Sequence, residues 1–436
     1  MAFPFSLLAR EKIGNFLKRV SSSKEDKALI ENFFSLSLLQ GLNYIFPLIT
    51  FPYLVRILGP AKFGLVIFAQ SFIWYFVLLT DYGFNFTANR SVSVNKNNID
   101  EVSRIYCTVN VIKFMLLIIS FLLLFLFVNF IPKFKEERLV YYFTFLTVAG
   151  NALFPTWFFQ GMERMKYIAV LNCLAKAVFT VSIFVFVRRV ENYVYVPLLN
   201  SLGYLTAGLV SVAIVSRDFG VRFFMPKMID IIGMLKEGWR VFISTIAISA
   251  YSTTRVFSVG LLTNDTITGL YAIADKLINI IQATWLIPLV QAIYPRLSNI
   301  YARDKRQSFR YMKRFQNFST IAYIVMLPIL FLAAPYVIKV VSGHAYPESV
   351  IAFRILLVAF LFTTANAFRA QFLLAAGWDD LYSRIHVMAG ILGILLTFFL
   401  TYKISYIGPA IALTIVEITV LYLTVKAVID RSGDAR

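Results

Sequence analysis

Residues 107–131 read CTVNVIKFMLLIISFLLLFLFVNFI, a run of 25 residues with a single charge, Lys113. A helix rises ~1.5 Å per residue, so a run of this length crosses the ~30 Å hydrocarbon core of a bilayer. Strands of a membrane barrel would instead show stretches of about ten residues with alternating polarity. The segment therefore predicts a transmembrane α-helix, and similar apolar runs recur along the chain.

The composition of the 436-residue chain extends this interpretation to the whole protein. The residues AVILMFWYC make up 59% and charged residues only 15%, whereas soluble proteins carry about 25% charged residues. The mean hydropathy is +0.73. These values exclude disordered, collagen-like, coiled-coil and disulfide-stapled proteins and indicate a polytopic membrane protein. Residues 1–28 hold six Lys and Arg and no long apolar core, so no cleaved signal peptide is expected.

The apolar runs predict an all-α polytopic membrane protein with 12 transmembrane helices in two six-helix lobes around a central cavity. The predicted spans are 33–55, 63–86, 107–131, 139–160, 167–187, 194–215, 241–262, 268–294, 316–341, 350–376, 385–402 and 407–428. The resulting divisions are an amphipathic N-terminus (1–32), an N-lobe (33–215), an inter-lobe loop (216–240), a C-lobe (241–428) and a tail (429–436).

Basic residues concentrate on one side of the predicted spans. The termini and the loops on their side hold 27 Lys and Arg, against 8 in the opposite loops. By the positive-inside rule, both termini of this multi-pass protein are expected to be cytoplasmic. This asymmetry also accounts for most of the net charge of +19 without a nucleic-acid partner. Two basic amphipathic stretches, 5–20 and 304–316, are expected to lie on membrane lipids at the anionic inner leaflet.

An internal repeat supports two related halves. Phe63-Gly64-Leu65-Val66-Ile67-Phe68-Ala69 follows the first span, and Thr268-Gly269-Leu270-Tyr271-Ala272-Ile273-Ala274 follows the seventh. Gly, Leu and Ala recur at the same offset of 205 residues. Because each half has an even number of spans, the halves insert in the same orientation and are related by an axis along the membrane normal.

The interior of the predicted bundle carries more basic than acidic side chains. Apart from Lys426 at the end of the last span, which is counted with the C-terminus, seven basic residues fall within spans, namely Lys113, Lys176, Arg255, Lys276, Lys339, Arg354 and Arg369, against the three acids Asp81, Asp275 and Glu417. Charged residues at this depth usually face a cavity or a partner, and an excess of positive charge favours an anionic solute. Lys339 and Arg354 lie near span ends, where snorkelling explains them.

Two pairings are open alternatives to a binding role for these charges. Asp81 and Lys113 lie at similar depth on the second and third spans, and Arg255 and Asp275 do so on the seventh and eighth. The predicted substrate-binding cations are Lys113, Lys176, Arg255 and Arg369. The candidates for coupling to an ion are Asp81, Asp275 and Glu417.

Sequence motifs of enzymes and metal sites are missing from the chain. It contains no HExxH, Walker, GxSxG or DxD motif, and its two histidines, His344 and His386, are far apart. We therefore expect no enzymatic activity, no catalytic residue, no metal site and no cofactor. The cysteines Cys107 and Cys173 are interpreted as small apolar side chains.

Residues 36–85, LSLLQGLNYIFPLITFPYLVRILGPAKFGLVIFAQSFIWYFVLLTDYGFN, closely resemble the opening of the Wzx-type polysaccharide (O-antigen) flippases. The similarity rests on the Pro pair of the first span, Leu58-Gly59-Pro60, Phe63-Gly64 and Asp81-Tyr82-Gly83-Phe84. Further similar segments are Phe154-Pro155-Thr156-Trp157-Phe158-Phe159-Gln160-Gly161, Leu270-Tyr271-Ala272-Ile273-Ala274-Asp275-Lys276 and Ala292-Ile293-Tyr294-Pro295-Arg296.

The resemblance implies a member of the multidrug/oligosaccharidyl-lipid/polysaccharide exporter superfamily. Such flippases move undecaprenyl-pyrophosphate-linked glycans across the bacterial cytoplasmic membrane. It also implies alternating access, coupling to H⁺ or Na⁺ as an antiporter, and other polysaccharide-assembly membrane proteins as partners. The alternatives are a multidrug/cation antiporter, which would need an acidic cavity, a peptidoglycan-precursor flippase, which shares the mechanism, and a glycan polymerase or ligase, which would need a large outer loop.

Overall fold

The computed structural model describes the backbone of residues 24–433 and the side chains of residues 41–428, except those at 44, 247, 248 and 250–252. The amphipathic stretch predicted at 5–20 lies outside the described residues. Helices account for nearly all of the described backbone, and this part of the chain contains no strand.

The helices follow one another with short connections. In chain order they are α1 (Lys24–Asp81), α2 (Thr87–Asn95), α3 (Ile99–Phe130), α4 (Pro132–Lys135), α5 (Arg138–Leu153), α6 (Thr156–Gly161), α7 (Met165–Phe186), α8 (Tyr195–Phe219), α9 (Met228–Leu262), α10 (Asp265–Ile281), α11 (Ile287–Arg303), α12 (Lys305–Ser342), α13 (Pro347–Ala375), α14 (Asp379–Ile404) and α15 (Ile407–Gly433). A 3-10 turn, Val190–Val194, precedes α8, and a π-helical turn, Gln282–Leu286, joins α10 to α11.

Among the described residues, ten helical segments are long and apolar enough to cross a membrane. One of them, Gly41–Asp81, covers residues 41–55 of the first predicted span and 63–81 of the second. Gly59 separates the two, because its backbone (φ 66°, ψ 172°) interrupts the helix. The seventh predicted span lies in α9. The all-α polytopic class is therefore confirmed, whereas the number of twelve spans stays a prediction.

Apolar side chains from distant parts of the chain form the core. The largest cluster joins α1, α7 and α8 to α9–α15, and two smaller ones lie within the first part of the chain and against α9. Helix α8 ends at Phe219 and α9 begins at Met228, so only residues 220–227 of the segment assigned to the inter-lobe loop are non-helical. The lobe boundaries themselves remain a prediction.

The basic stretch 304–316 forms the start of the 38-residue helix α12. Asp304 caps this helix, because its side chain accepts a hydrogen bond from the Gln307 backbone N–H at 2.9 Å. Ser308 and Met312 are buried along one face, whereas Arg310 is exposed on the other. The segment is therefore amphipathic, as its sequence predicts.

Candidate functional site

Two glycines hold the helices together at the end that the predicted topology places outside the cytoplasm, here called the outer end. A Cβ added at Gly64 of α1 would lie 1.9 Å from the Asp265 carbonyl oxygen and 2.5 Å from the Gly269 nitrogen. A Cβ added at Gly269 of α10 would lie 1.9 Å from the Pro60 carbonyl oxygen. Only glycine fits at either position, so the backbones of α1 and α10 are in direct contact.

Two cations reinforce this closure at the outer end. Lys133 Nζ, in α4, donates to the carbonyl oxygens of Leu261 (3.1 Å) and Thr263 (2.9 Å), at the C-terminus of α9. Arg56 donates to the carbonyl oxygens of Val340 and Val341 at the C-terminus of α12. Each cation faces the negative end of a helix dipole. The first half of the chain is thereby tied to the second along the outer end.

At the opposite end of the bundle, the first part of α9 contacts the first half of the chain. Tyr82 Oη donates to the Leu235 carbonyl oxygen at 3.2 Å, and its ring stacks on Phe242 at 4.5 Å. Asp230 accepts a hydrogen bond from Arg104 of α3. The Arg104 guanidinium lowers the pKa of this carboxyl group. These contacts attach α9 to the first half of the chain.

A cavity of about 420 Å³ lies behind the closed outer end. Its lining comes from α1, α5, α7, α8 and α10 and includes aliphatic, aromatic and hydroxyl side chains together with Gln70 and Asn200. Among the residues that the structure describes, Lys176 of α7 and Lys276 of α10 are the two charged ones that line it, and no carboxylate does so. A membrane-embedded cavity with two ammonium groups suits an anion.

The two lysines come from opposite halves of the chain. Lys176 Nζ donates to the Asn43 carbonyl oxygen at 2.8 Å, which accounts for one of its three N–H groups. Lys276 lines the same cavity from the second half of the chain. An anion bound by both lysines would contact both halves at once.

A second cavity of about 460 Å³ adjoins the first across one face of α1. Phe63, Ile67, Gln70 and Trp74 line both cavities, at the three- and four-residue spacing of a helix face. Lys276 also lines both, so it stands at their junction. The two cavities are thus neighbouring compartments that share one face of α1.

Lys113 and Asp81 form the ion pair that their similar depth on the second and third predicted spans suggested. Lys113 Nζ lies 2.9 Å from Asp81 Oδ1, and the Lys113 side chain is only 3% exposed. The bridge joins α3 to the C-terminus of the long helix α1. The predicted pairing is confirmed, and it directs Lys113 away from the cavities.

Arg255 and Asp275 form the second predicted pair. Arg255 Nη2 lies 3.1 Å from Asp275 Oδ1, and both side chains are almost completely buried. Asn279 donates to the other carboxylate oxygen, Asp275 Oδ2, at 2.9 Å. The pair ties α9 to α10 and neutralises the acid next to Lys276. The positive charge of Lys276 is therefore left available to the cavity.

Glu417 lines a separate cavity of about 380 Å³ within the second half of the chain, together with His386, Asn366 and Gln282. Asn366 Nδ2 donates to Glu417 Oε2 at 2.7 Å, and the Asn366 Oδ1 atom is buried without a hydrogen-bond partner. Gln282 begins the π-helical turn, a distortion that is frequent at functional sites. In the described residues, no cluster of three His, Cys, Asp or Glu side chains could hold a metal.

The structure does not bring the four predicted cations together. Lys176 lines the central cavity, Lys113 and Arg255 are held in ion pairs, and Arg369 lies half-buried on α13 outside the cavities described above. Lys276, the partner of Lys176, is not among the predicted binding residues. One signal in the sequence could have identified it: once Arg255 and Asp275 are paired, Lys276 is the remaining charge on that span.

Comparisons with known proteins agree with this architecture. The family model described as polysaccharide biosynthesis protein matches residues 29–301. A protein of Escherichia coli (strain K12) named as an O-antigen transporter is 31% identical over 397 residues, which cover 91% of this chain and 95% of the relative.

Two solved structures share the fold. An inward-facing conformation of a multidrug resistance MATE family transporter of the MOP superfamily has a TM-score of 0.68 at 12% identity, covering 90% of this chain and 96% of that one. The lipid II flippase MurJ, in an inward closed conformation, has a TM-score of 0.68 at 11% identity, covering 91% and 87%. The resemblance first recognised in residues 36–85 is confirmed by the relatives. The chain belongs to the polysaccharide biosynthesis protein family, as a membrane transporter rather than an enzyme.

Proposed function

We propose that this protein is a flippase that moves polyprenyl-pyrophosphate-linked oligosaccharide repeat units across the bacterial cytoplasmic membrane. The observation that carries the proposal is the pair Lys176 and Lys276, which line one membrane-embedded cavity from opposite halves of the chain. The names O-antigen transporter and lipid II flippase, borne by a relative and a structural neighbour, agree with a lipid-linked substrate.

The pyrophosphate would lie between the two lysines. Its non-bridging oxygens accept charge-assisted hydrogen bonds, each of which contributes about 1.5–3 kcal/mol when it is well formed. Among the described residues, the cavity lining has no carboxylate, so no acidic side chain of this cavity pairs with the ammonium groups. The same charge balance disfavours the cations that a multidrug antiporter exports.

The oligosaccharide would extend from the pyrophosphate into the two compartments beside α1. Hydroxyl and amide groups line the first compartment, including Thr50, Thr180 and Asn200. Trp74, which is 42% exposed, presents its ring to both compartments. A ring of this kind can stack on the apolar face of a sugar, whereas the polyprenyl tail would remain in the lipid.

Transport would proceed by alternating access, with both chain termini in the cytoplasm. The contact of Gly64 with Gly269 and the hydrogen bonds of Arg56 and Lys133 close the outer end. We infer that the head group enters from the cytoplasmic side. The outer contacts then separate while the two halves rock against each other.

Coupling to H⁺ or Na⁺ would take place at Glu417. Of the three acids within the spans, Asp81 and Asp275 hold Lys113 and Arg255 in ion pairs, whereas Glu417 lines a polar cavity beside His386. A cation bound there would contact α13, α14 and α15 together. Its release would therefore change how these helices pack.

The alternative from the same superfamily is a flippase for a peptidoglycan precursor, which the fold of MurJ favours. The head-group chemistry is similar, so the lysine pair alone does not separate the two substrates. An export assay with each glycan in turn distinguishes them, because the sugar side of the cavity must accept one and reject the other.

The proposal is tested by complementation in cells that lack their own O-unit flippase, with membrane levels of each variant matched. We expect Lys176→Gln with Lys276→Gln to reduce glycan export at least ~10-fold, as loss of one or more charge-assisted bonds requires. Lys403→Gln is the matched control, because Lys403 is exposed over the Tyr402 ring at the end of α14. Unchanged export by the double variant would reject the lysine pair as the substrate site.

A further inference from the structure

A cleft of about 730 Å³ lies at the outer end between α1 and α12. It is separate from the central cavity and is lined by the kink of α1 and by the end of α12. Its lining includes Arg56, Tyr336, Lys339, Gly343, His344 and Tyr346. The two halves of the chain both contribute to it.

The cleft is positively charged. Arg56 comes from the first half and Lys339 from the second, His344 also lines the cleft, and no carboxylate is found in the described part of the lining. Among the described residues, neither Arg56 nor Lys339 takes part in an ion pair, and both are exposed. Cations at this end of the chain run against the general charge bias of the protein, so a ligand is a more specific explanation than topology.

Two aromatic side chains indicate at which level of the membrane the cleft lies. Tyr336 is 72% exposed beside Lys339, and Tyr346 lies on the far side of the turn that follows α12. Tyrosine is enriched where a membrane meets water, because its ring is apolar and its hydroxyl group is polar. The cleft therefore lies at the level of the lipid head groups, on the flank of the molecule.

Arg56 already links the two halves within this cleft. Its guanidinium donates to the Val340 and Val341 carbonyl oxygens, and the Gly343 turn (φ 83°) brings the end of α12 beside it. A ligand held by Arg56 and Lys339 together would span the same junction. It would favour the closed outer end, in which both cations line one cleft.

We propose that this cleft binds the phosphate head group of an anionic phospholipid from the outer leaflet, and that the bound lipid stabilises the closed outer end. The net charge of the lining favours an anionic lipid over a zwitterionic one, whose ammonium group Lys339 would repel. The lipid-facing position favours a resident bilayer lipid over the transported substrate, whose pyrophosphate we assign to Lys176 and Lys276. The proposal rests on the proposed orientation of the chain and not on the identity of the glycan.

The test is a titration of the purified, delipidated full-length protein with phosphatidylglycerol, followed by native mass spectrometry. We expect one tight phosphatidylglycerol site that Lys339→Glu weakens at least ~10-fold and Lys339→Arg preserves, since a charge-assisted bond is lost or kept. Lys403→Glu, the matched charge reversal away from the cleft, should leave it unchanged. Added phosphatidylglycerol should also raise the unfolding temperature of the unsubstituted protein but not that of Lys339→Glu.

Three results would overturn the proposal. Equal phosphatidylglycerol binding by Lys339→Glu and the unsubstituted protein would remove the cleft as the site. Displacement of the lipid by inorganic phosphate at equal concentration would indicate a free anion. Displacement by farnesyl pyrophosphate at lower concentration than phosphatidylglycerol would indicate the polyprenyl substrate. The Lys176→Gln, Lys276→Gln variant separates the two sites, because it should lose farnesyl pyrophosphate binding and keep the phosphatidylglycerol site.

Discussion

Gly64 and Gly269 occupy equivalent places in the two halves of the chain, 205 residues apart, and their backbones pack against each other. The contact is reciprocal. Gly64 faces the carbonyl oxygen of Asp265, four residues before Gly269, and Gly269 faces the carbonyl oxygen of Pro60, four residues before Gly64. Such a self-complementary contact is what a two-fold relationship between similar units produces. We therefore expect the contact to lie on the axis that the predicted repeat implies, where rocking of one half against the other would separate it.

Gly64→Ala should prevent the outer end from closing. The added methyl group meets backbone atoms of α10 at 1.9 and 2.5 Å, and backbone cannot move aside as a flexible side chain can. We expect glycan export to fall by at least ~10-fold, because overpacking of this kind costs about 1–3 kcal/mol. An impermeant thiol reagent should then react more readily with a cysteine placed at Trp74.

The matched control is Gly233→Ala on α9, where an added Cβ has no atom within 4 Å. A methyl group in an exposed helix usually improves stability, so this variant should transport normally. If Gly64→Ala behaves like Gly233→Ala in both export and labelling, the glycine contact does not gate the outer end.

The ion pair of Arg255 with Asp275 should be structural. Arg255→Gln leaves a buried carboxylate without its cation, which costs about 3–5 kcal/mol of stability. We expect a lower unfolding temperature and lower membrane levels of the protein. The exchanged variant, Arg255→Asp with Asp275→Arg, should recover much of the lost stability. Failure of the exchange to recover any stability, together with normal folding of Arg255→Gln, would contradict the structural role and return Arg255 to the list of binding residues.

Trp74→Leu should weaken recognition of the glycan and leave the pyrophosphate site intact. Leucine keeps an apolar side chain on this face of α1 but removes the flat ring that both compartments share. We expect lower export of the complete lipid-linked unit and unchanged binding of undecaprenyl pyrophosphate without sugars, whereas Trp74→Phe should retain most export. Trp239→Leu, a substitution of an exposed tryptophan of α9, is the control. If Trp74→Leu lowers glycan export and undecaprenyl pyrophosphate binding alike, the substitution has a general effect on folding.

Glu417→Gln should reduce transport and its dependence on an ion gradient. The substitution keeps the hydrogen bond from Asn366 Nδ2 and removes the negative charge from the cavity. Transport is measured in inverted membrane vesicles with and without imposed H⁺ or Na⁺ gradients. The control is Glu348→Gln at the start of α13, outside this cavity. Transport by Glu417→Gln that responds to the gradient as before would exclude this acid as the coupling site.

The orientation of the chain is tested at Arg310, which is exposed on α12. In a background with Cys107 and Cys173 replaced by serine, Arg310→Cys should react with an impermeant reagent only after the membrane is opened. Lys403→Cys, at the opposite end of the bundle, should react in intact cells. The reverse pattern would invert the topology derived from the count of 27 against 8 basic residues.

The sequence alone determined the membrane class, the helical architecture and the family. Each of these depends on local properties: an apolar run long enough to cross the bilayer, the distribution of Lys and Arg between loops, and the motif-bearing segment 36–85. Two pairings, Lys113 with Asp81 and Arg255 with Asp275, were also predictable. Inside the membrane, a charged side chain has few other charged groups within reach. An opposite charge at equal depth on a neighbouring helix is therefore its expected partner.

Only the tertiary structure decided which cations share a cavity. Hydropathy and depth place Lys176, Lys276 and Arg369 alike inside the membrane, but they do not specify the direction in which each side chain points around its helix. That direction depends on the packing of α7, α10 and α13, which are distant in the sequence. The same packing brings Gly64 against Gly269. The repeat predicts that these glycines are equivalent, whereas their contact requires the two halves to meet at the axis, because a long-range backbone approach has no local signature.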